Sequence, residues 1–163
     1  MVKVYIMKVI FCVFVFAAMT VNGQAPSATA ATAVTLQAPV SDIPMLTGIN
    51  QVASNQLRVT YDQPVDQVKG INPQNYWVQN TAETMPTNIA TLGMNDSVNA
   101  NNSLTEEKVK IEVSGSTGQE FLLTFNQNIA RGMAFKLIVC YVTKPGAPPY
   151  SGDNGSIAFV GLR

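Results

Sequence analysis

The chain has 163 residues, with 10 basic and 10 acidic side chains and no histidine. Such a balanced charge argues against nucleic acid or anionic lipid as a partner, because both need clustered Lys and Arg. Without histidine the chain lacks the usual general base, the usual zinc ligand and any Ser-His or Cys-His nucleophile pair. We therefore expect a protein that is not an enzyme and that carries no metal and no cofactor.

The N-terminus predicts a secretory signal peptide over residues 1–23. Lys3 and Lys8 give it a positive start, and residues 9–18 are all apolar. Small residues follow at the positions that a signal peptidase reads, which predicts cleavage before Gln24. The apolar run is shorter than the ~20 residues that span a bilayer. We expect no membrane attachment after cleavage, and a secreted protein located outside the cell or at its surface.

The next segment, residues 24–44, predicts a flexible leader or linker because it is rich in Ala, Thr and Pro. The same segment contains strand-forming residues. An alternative hypothesis is therefore a surface filament, in which this leader completes the sheet of a neighbouring subunit. Without the signal peptide, 140 residues remain with a net charge near −2, because two of the 10 basic residues are removed. That length suits one domain.

Residues 45–163 predict an all-β domain. Alternating apolar and polar residues indicate half-buried strands in "NQLRVTYD", "EEKVKIEVSG" and "GQEFLLTFNQ". The run "MAFKLIVCYV" is apolar enough for a strand covered on both faces, and "GSIAFVGL" provides a last strand. Turn-forming Pro, Gly, Asn and Ser separate these segments. The pattern predicts a two-sheet sandwich of about seven to eight strands.

The inward-facing side chains of these strands form the predicted core. Its members are Leu57, Val59, Tyr61, Tyr76, Val109, Ile111, Phe121, Leu123, Phe125, Val139 and Tyr141. Each large apolar side chain that is fully buried contributes about 1.5–3 kcal/mol. We expect this core to stabilise the domain without a disulfide.

The only tryptophan, Trp77, follows Tyr76 in "GINPQNYWVQN". Strand side chains alternate, so the two rings point to opposite faces of a sheet. One ring belongs to the core, and the other lies at the surface or under a loop. An outward Trp77, together with Tyr150, is a candidate sugar-binding site, and a carbohydrate-binding domain is a second alternative function. A structural role for a buried Trp77 is the other interpretation, and the one we favour.

Three motifs resemble the bacterial immunoglobulin-like modules of the SbsA type, which occur in surface-layer and other secreted proteins. They are "LRVTYDQPVD", "NPQNYWVQN" and a late "FKLIVCYV" followed by a loop rich in Gly and Asp. The resemblance implies an immunoglobulin-like spacer or adhesion module without catalysis, whose partners are other surface proteins or extracellular polysaccharide. It also implies that Tyr76 lies in the core and Trp77 points outward. Two features depart from the pattern: a long insert at residues 93–103, and a closing loop "KPGAPPYSGDNG" without the expected Asp-x-x-Gly-Asn order.

Three Asn-x-Ser sequons fall in predicted loops and are candidate N-glycosylation sites: Asn95, Asn101 and Asn154. Cys140 has no partner in the predicted mature chain, because Cys12 lies in the signal peptide. It is either a small buried residue of a strand or an intermolecular thiol that supports self-association. The acidic residues near the predicted turns are too few and too scattered for a calcium site.

Overall fold

A computed structural model describes residues 42–162 of the chain. These residues belong to one compact unit of the chain. The predicted signal peptide and nearly all of the predicted leader lie outside the described residues. The cleavage site and the strand-donation hypothesis therefore stay predictions.

Residues 42–162 contain seven strands and three short helical segments, which are connected by turns and loops. The strands are β1 (Leu46–Ala53), β2 (Gln56–Tyr61), β3 (Tyr76–Asn80), β4 (Val109–Ser114), β5 (Glu120–Phe125), β6 (Ala134–Cys140) and β7 (Asp153–Val160). A four-residue helix, α1 (Gln67–Gly70), and a 3-10 turn at Pro73–Asn75 connect β2 to β3, and a second 3-10 turn lies at Ala100–Asn102.

The strands form two antiparallel sheets with the orders β1-β2-β5-β4 and β3-β6-β7. Named A to G in chain order, these are sheets ABED and CFG, the arrangement of a constant-type immunoglobulin sandwich. The prediction of an all-β, two-sheet sandwich is confirmed. Its strand count falls at the lower end of the predicted range.

The main core lies between the two sheets, where cross-strand pairs bring buried side chains together. Leu57 pairs with Leu123, and Val59 pairs with Phe121. Ten of the eleven predicted core residues are buried. The alternation of buried and less buried residues along β5 shows why a period of two identified them.

Tyr141 is the exception, and its predicted place in the core is wrong. Its side chain is 40% exposed. The pairing of β6 with β7 is irregular between Ile138 and Cys140, and Tyr141 itself has a φ of 67°. A positive φ breaks the alternation of strand side chains, so Tyr141 turns to the outer surface of the sheet.

The connection between β2 and β3 closes one end of the main core. Asp66 begins α1 by accepting a hydrogen bond from the Lys69 backbone N–H at 3.1 Å. The helix ends at Gly70, which packs directly against Phe121. A Cβ atom at Gly70 would lie 2.3 Å from Cζ of Phe121, so this contact requires glycine.

Candidate functional site

Trp77 lies on the face of β3 that points away from the main core. Its side chain is 0% exposed, and it packs with Leu92 and Cys140 in a separate cluster. Val98 and Ile138 are partly buried against these residues. We call these five residues the outer cluster. The ring of Trp77 thus points away from the main core, as strand alternation predicts. Neighbouring residues nevertheless cover it completely.

The insert at residues 93–103 holds the indole of Trp77. The Nε1 atom of Trp77 donates to the backbone oxygen of Asn99 at 2.9 Å and to Oδ1 of Asn102 at 3.0 Å. The same Oδ1 accepts the backbone N–H of Asn99 at 2.9 Å, so the two asparagines form a capping box around the Ala100–Asn102 turn. The covered ring leaves no face open to a sugar in this conformation.

A second anchor attaches the insert to β3. The Nε2 atom of Gln79 donates to the backbone oxygens of Gly93 at 3.1 Å and Met94 at 3.0 Å. Gly93 also approaches the backbone of Thr84 so closely that a Cβ atom would lie 1.9 Å from the Thr84 oxygen. No local pattern predicts these roles of Gln79, Asn99 and Asn102. For the two asparagines, the only local signal is the preference of Asn for caps and turns.

Tyr76 enters the main core, as the resemblance implies. Its hydroxyl donates to the backbone oxygen of Gly70 at 2.6 Å, and it lies 2.9 Å from the hydroxyl of Tyr61. Since the single proton of Tyr76 goes to Gly70, Tyr61 donates to Tyr76. Burial raises the pKa of both hydroxyls well above the ordinary value of 10.0. Both groups stay protonated near neutral pH and serve the fold.

Cys140 is a free thiol at the end of β6. It is 8% exposed and packs in the outer cluster. Burial, followed by the negative charge of Asp153, raises the pKa of the Cys140 thiol to about 11. A protonated, buried thiol reacts slowly. An intermolecular disulfide at Cys140 would therefore require the outer cluster to open.

Tyr150 lines a cavity to which Trp77 does not contribute, so the structure does not join the two rings in one site. Its half-buried ring lines a cavity of about 380 Å³ beside Ile43 and Lys144. Its hydroxyl donates to the backbone oxygen of Asp153 at 3.1 Å. The cavity is formed largely by the proline-rich loop that precedes β7.

The three sequons occupy different environments. Asn95 and Asn101 are exposed in the insert, where their use remains a prediction. Asn154 belongs to β7 and is 0% exposed, so its predicted loop position is wrong. Its Nδ2 atom, to which a glycan would be attached, donates to the backbone oxygens of Pro44 and Val142 at 2.8 Å each. The folded domain cannot present Asn154 for glycosylation.

The acidic residues near the turns bond to backbone N–H groups. Asp62 accepts from Met45 at 2.8 Å, and Asp153 accepts from Gly155 at 2.7 Å. Within residues 42–162, no three His, Cys, Asp or Glu side chains come together in an arrangement that could hold a metal ion. None of the helices in that range is long and apolar enough to cross a membrane.

No protein-family model matches the sequence, and a comparison with curated proteins finds no match. Solved structures do show a similar fold. The S-layer protein rSbsC(31-844) matches with a TM-score of 0.50 and 16% identity, over 74% of this chain and 14% of that chain. The N-terminal part of the bacterial S-layer protein SbsC gives a TM-score of 0.49 and 17% identity, over 74% of this chain and 24% of that chain.

The likeness to rSbsC(31-844) concerns the fold alone, because the identity is low. This chain spans only 14% of the length of that protein. A fold shared with part of an S-layer protein agrees with the fold that the predicted resemblance implies. The assignment to the SbsA type stays a prediction.

Proposed function

We propose that the protein is a secreted, non-catalytic, immunoglobulin-like structural or adhesion module of the cell surface or extracellular matrix. The observation that carries this proposal is the shared fold with rSbsC(31-844), which covers 74% of this chain but only 14% of that one. A single sandwich thus corresponds to a small portion of a long surface protein. Other surface proteins or extracellular polysaccharide are the proposed partners.

The use of the polar aromatic groups supports a structural role. The hydroxyls of Tyr61 and Tyr76 bond to each other inside the main core, and the indole N–H of Trp77 bonds to the insert. These groups hold the strands and connections in place, and none of them is free to engage a substrate. A polysaccharide partner would have to contact a surface other than the ring of Trp77.

The experiment that tests the proposal is localisation in the source organism. A C-terminally tagged full-length chain should be found outside the cell or at its surface, and should be accessible to antibody on intact cells. The matched control lacks residues 1–23 and should remain inside the cell. Recovery of the full-length chain only from the cytoplasm would contradict the proposal.

A further inference from the structure

The two sheets have four edge strands: β1 and β4 in one sheet, and β3 and β7 in the other. An edge strand presents unpaired backbone N–H and C=O groups, to which a strand of another molecule can bind. Within residues 42–162 the other three edges are covered. The outer edge of β4 is less closed: Ile71 and Pro73 of the β2–β3 connection face Val109, Lys110 and Ile111 across a groove.

The outer edge of β3 is covered by the segment that follows it. Leu92 donates its backbone N–H to Val78 at 3.1 Å and accepts the N–H of Asn80 at 2.8 Å. Leu104 donates to the backbone oxygen of Tyr76 at 2.8 Å. These bonds leave no room for another strand along this edge.

β1 and β7 lie against each other at the opposite side of the sandwich. The side chain of Asn154 in β7 donates to Pro44 just before β1 at 2.8 Å. Leu162, just after β7, donates its backbone N–H to Oε1 of Gln51 in β1 at 2.8 Å. The pairings of β1 with β2 and of β7 with β6 also contain irregularities. Irregular pairing further protects an edge.

β4 differs from these strands because it pairs only with β5, in an uninterrupted register. Asn126 donates its N–H to the oxygen of Lys108 at 2.9 Å. In an antiparallel ladder, hydrogen-bonded residue pairs alternate with non-hydrogen-bonded pairs. The backbone groups of Lys110 and Glu112, two and four residues after Lys108, therefore also bond to β5. Ile111 and Val113 therefore direct their backbone groups outward. β4 contains neither proline nor an inward-facing charge, two of the devices that block an edge, although it carries a third, the exposed Lys110.

The charges on β4 are arranged for pairing with a copy of itself. Lys110 and Glu112 flank Ile111 on the solvent-exposed face, with side chains that are 71% and 52% exposed. In the single chain they pair with each other, with Lys110 Nζ 2.8 Å from Glu112 Oε1, and in a dimer each could pair with the second copy instead. In an antiparallel pair centred on Ile111, Lys110 of each copy lies opposite Glu112 of the other. A slide by two residues would instead place Lys110 opposite Lys110, or Glu112 opposite Glu112. Opposite charges at facing positions stabilise a sheet, and like charges destabilise it.

We propose that β4 pairs with β4 of a second copy of this chain, antiparallel about a two-fold axis at Ile111. The two four-stranded sheets then form one continuous sheet across the dimer. The outward N–H and C=O groups of Ile111 and Val113 make the hydrogen bonds, and the Lys110–Glu112 pairs determine the register. Val113, which is 37% exposed in the single chain, faces Val109 of the second copy.

The test is the association state of the purified protein, measured by analytical ultracentrifugation over a series of concentrations. We expect a concentration-dependent dimer that weakens with added salt. Lys110→Glu and Glu112→Lys should each raise the dimer dissociation constant at least about tenfold, which is about 1.4 kcal/mol. The double variant K110E/E112K should restore the dimer, because it exchanges the charges and keeps them complementary. Arg131→Glu, at an exposed loop position, is the control for net charge.

A second variant separates backbone pairing from charge. Val113→Pro removes an outward N–H that is not bonded to β5, so it should abolish the dimer and leave the thermal unfolding of the monomer nearly unchanged. A protein that stays monomeric at every concentration would overturn the proposal. So would a dimer that tolerates K110E, E112K and V113P. The result does not depend on localisation, so an intracellular location would contradict only the proposed function.

Discussion

Tyr76 and Trp77 are neighbours in sequence, yet they stabilise two different regions of the molecule. Tyr76 enters the main core, where apolar side chains from both sheets meet. Trp77 enters the outer cluster, which is closed by a connection between strands and not by a second sheet. The main core therefore depends on burial of apolar area, whereas the outer cluster depends on the hydrogen bonds of the insert. Substitutions in the two regions should have different consequences.

The largest effect is expected for Phe121→Ala in the main core. Phe121 is fully buried, packs edge-to-face on Tyr61 with ring centroids 5.9 Å apart, and contacts Gly70. Its truncation should lower the free energy of unfolding by about 3–5 kcal/mol, measured by urea denaturation. Leu122→Ala is the matched control on the other face of β5 and should cost less than half as much. Equal losses would remove the distinction between the two faces.

Tyr76→Phe should have an intermediate effect, because it removes a buried hydroxyl and keeps the ring. The Gly70 oxygen and the Tyr61 hydroxyl would each lose a hydrogen-bond partner. We expect a loss of about 1–3 kcal/mol in the free energy of unfolding. Tyr150→Phe is the control, because its hydroxyl bonds at the surface, and it should change stability by less than about 0.5 kcal/mol.

Trp77→Phe tests the outer cluster separately from the main core. It keeps an aromatic ring but removes the donor to Asn99 and Asn102, which costs about 1 kcal/mol. The smaller ring also leaves a cavity in the outer cluster, which adds to this cost. Hydrogen exchange of residues 93–103 should become faster, while the amides of β5 stay protected. Asn101→Ala, at an exposed position of the same turn, should leave exchange unchanged. Faster exchange throughout β5 would show that the two regions unfold together.

High pH should weaken the main core. The pKa values of Tyr61 and Tyr76 are raised above 10.0 in the folded state. Above pH 10 the unfolded chain therefore loses these protons first, and the folded chain binds more protons. The contribution of these two hydroxyls is then complete below pH 10 and falls as pH rises further. The raised pKa of Cys140 adds a separate loss that begins near its ordinary value of 9.0. Urea denaturation between about pH 8 and pH 11 measures this fall. A Tyr76→Phe variant with the same pH dependence as the original chain would exclude Tyr76 as a cause, and a Y61F/Y76F double variant tests the pair.

The smallest effect concerns the reactivity of Cys140, which is measured near neutral pH, where its raised pKa does not change stability. Because burial raises the pKa of this thiol to about 11, it should react with a disulfide reagent at neutral pH far more slowly in the folded chain than in urea. Trp77→Phe should accelerate the reaction by loosening the outer cluster, whereas Leu122→Ala should not. Equal rates in folded and unfolded protein would show that the thiol is accessible.

Local patterns predicted most of the sandwich, because strand alternation needs only the order of neighbouring residues. Leu57, Val59 and Phe121 were assigned to the core on that basis, and they are buried. The same rule separated Tyr76 from Trp77. The rule fails at Tyr141, where a positive φ at the end of β6 interrupts the alternation.

The sequence by itself predicted most of the strands and, apart from Tyr141, their inward faces. Only the tertiary structure decided what covers each outward face. Trp77 meets a backbone oxygen 22 residues away, and Asn154 bonds to a backbone oxygen 110 residues away. Neither contact has a local signature, because hydrogen bonds across the fold depend on how connections cross the sheets. For the same reason, the proposed interface at the outer edge of β4 could be identified only from the positions of all the strands.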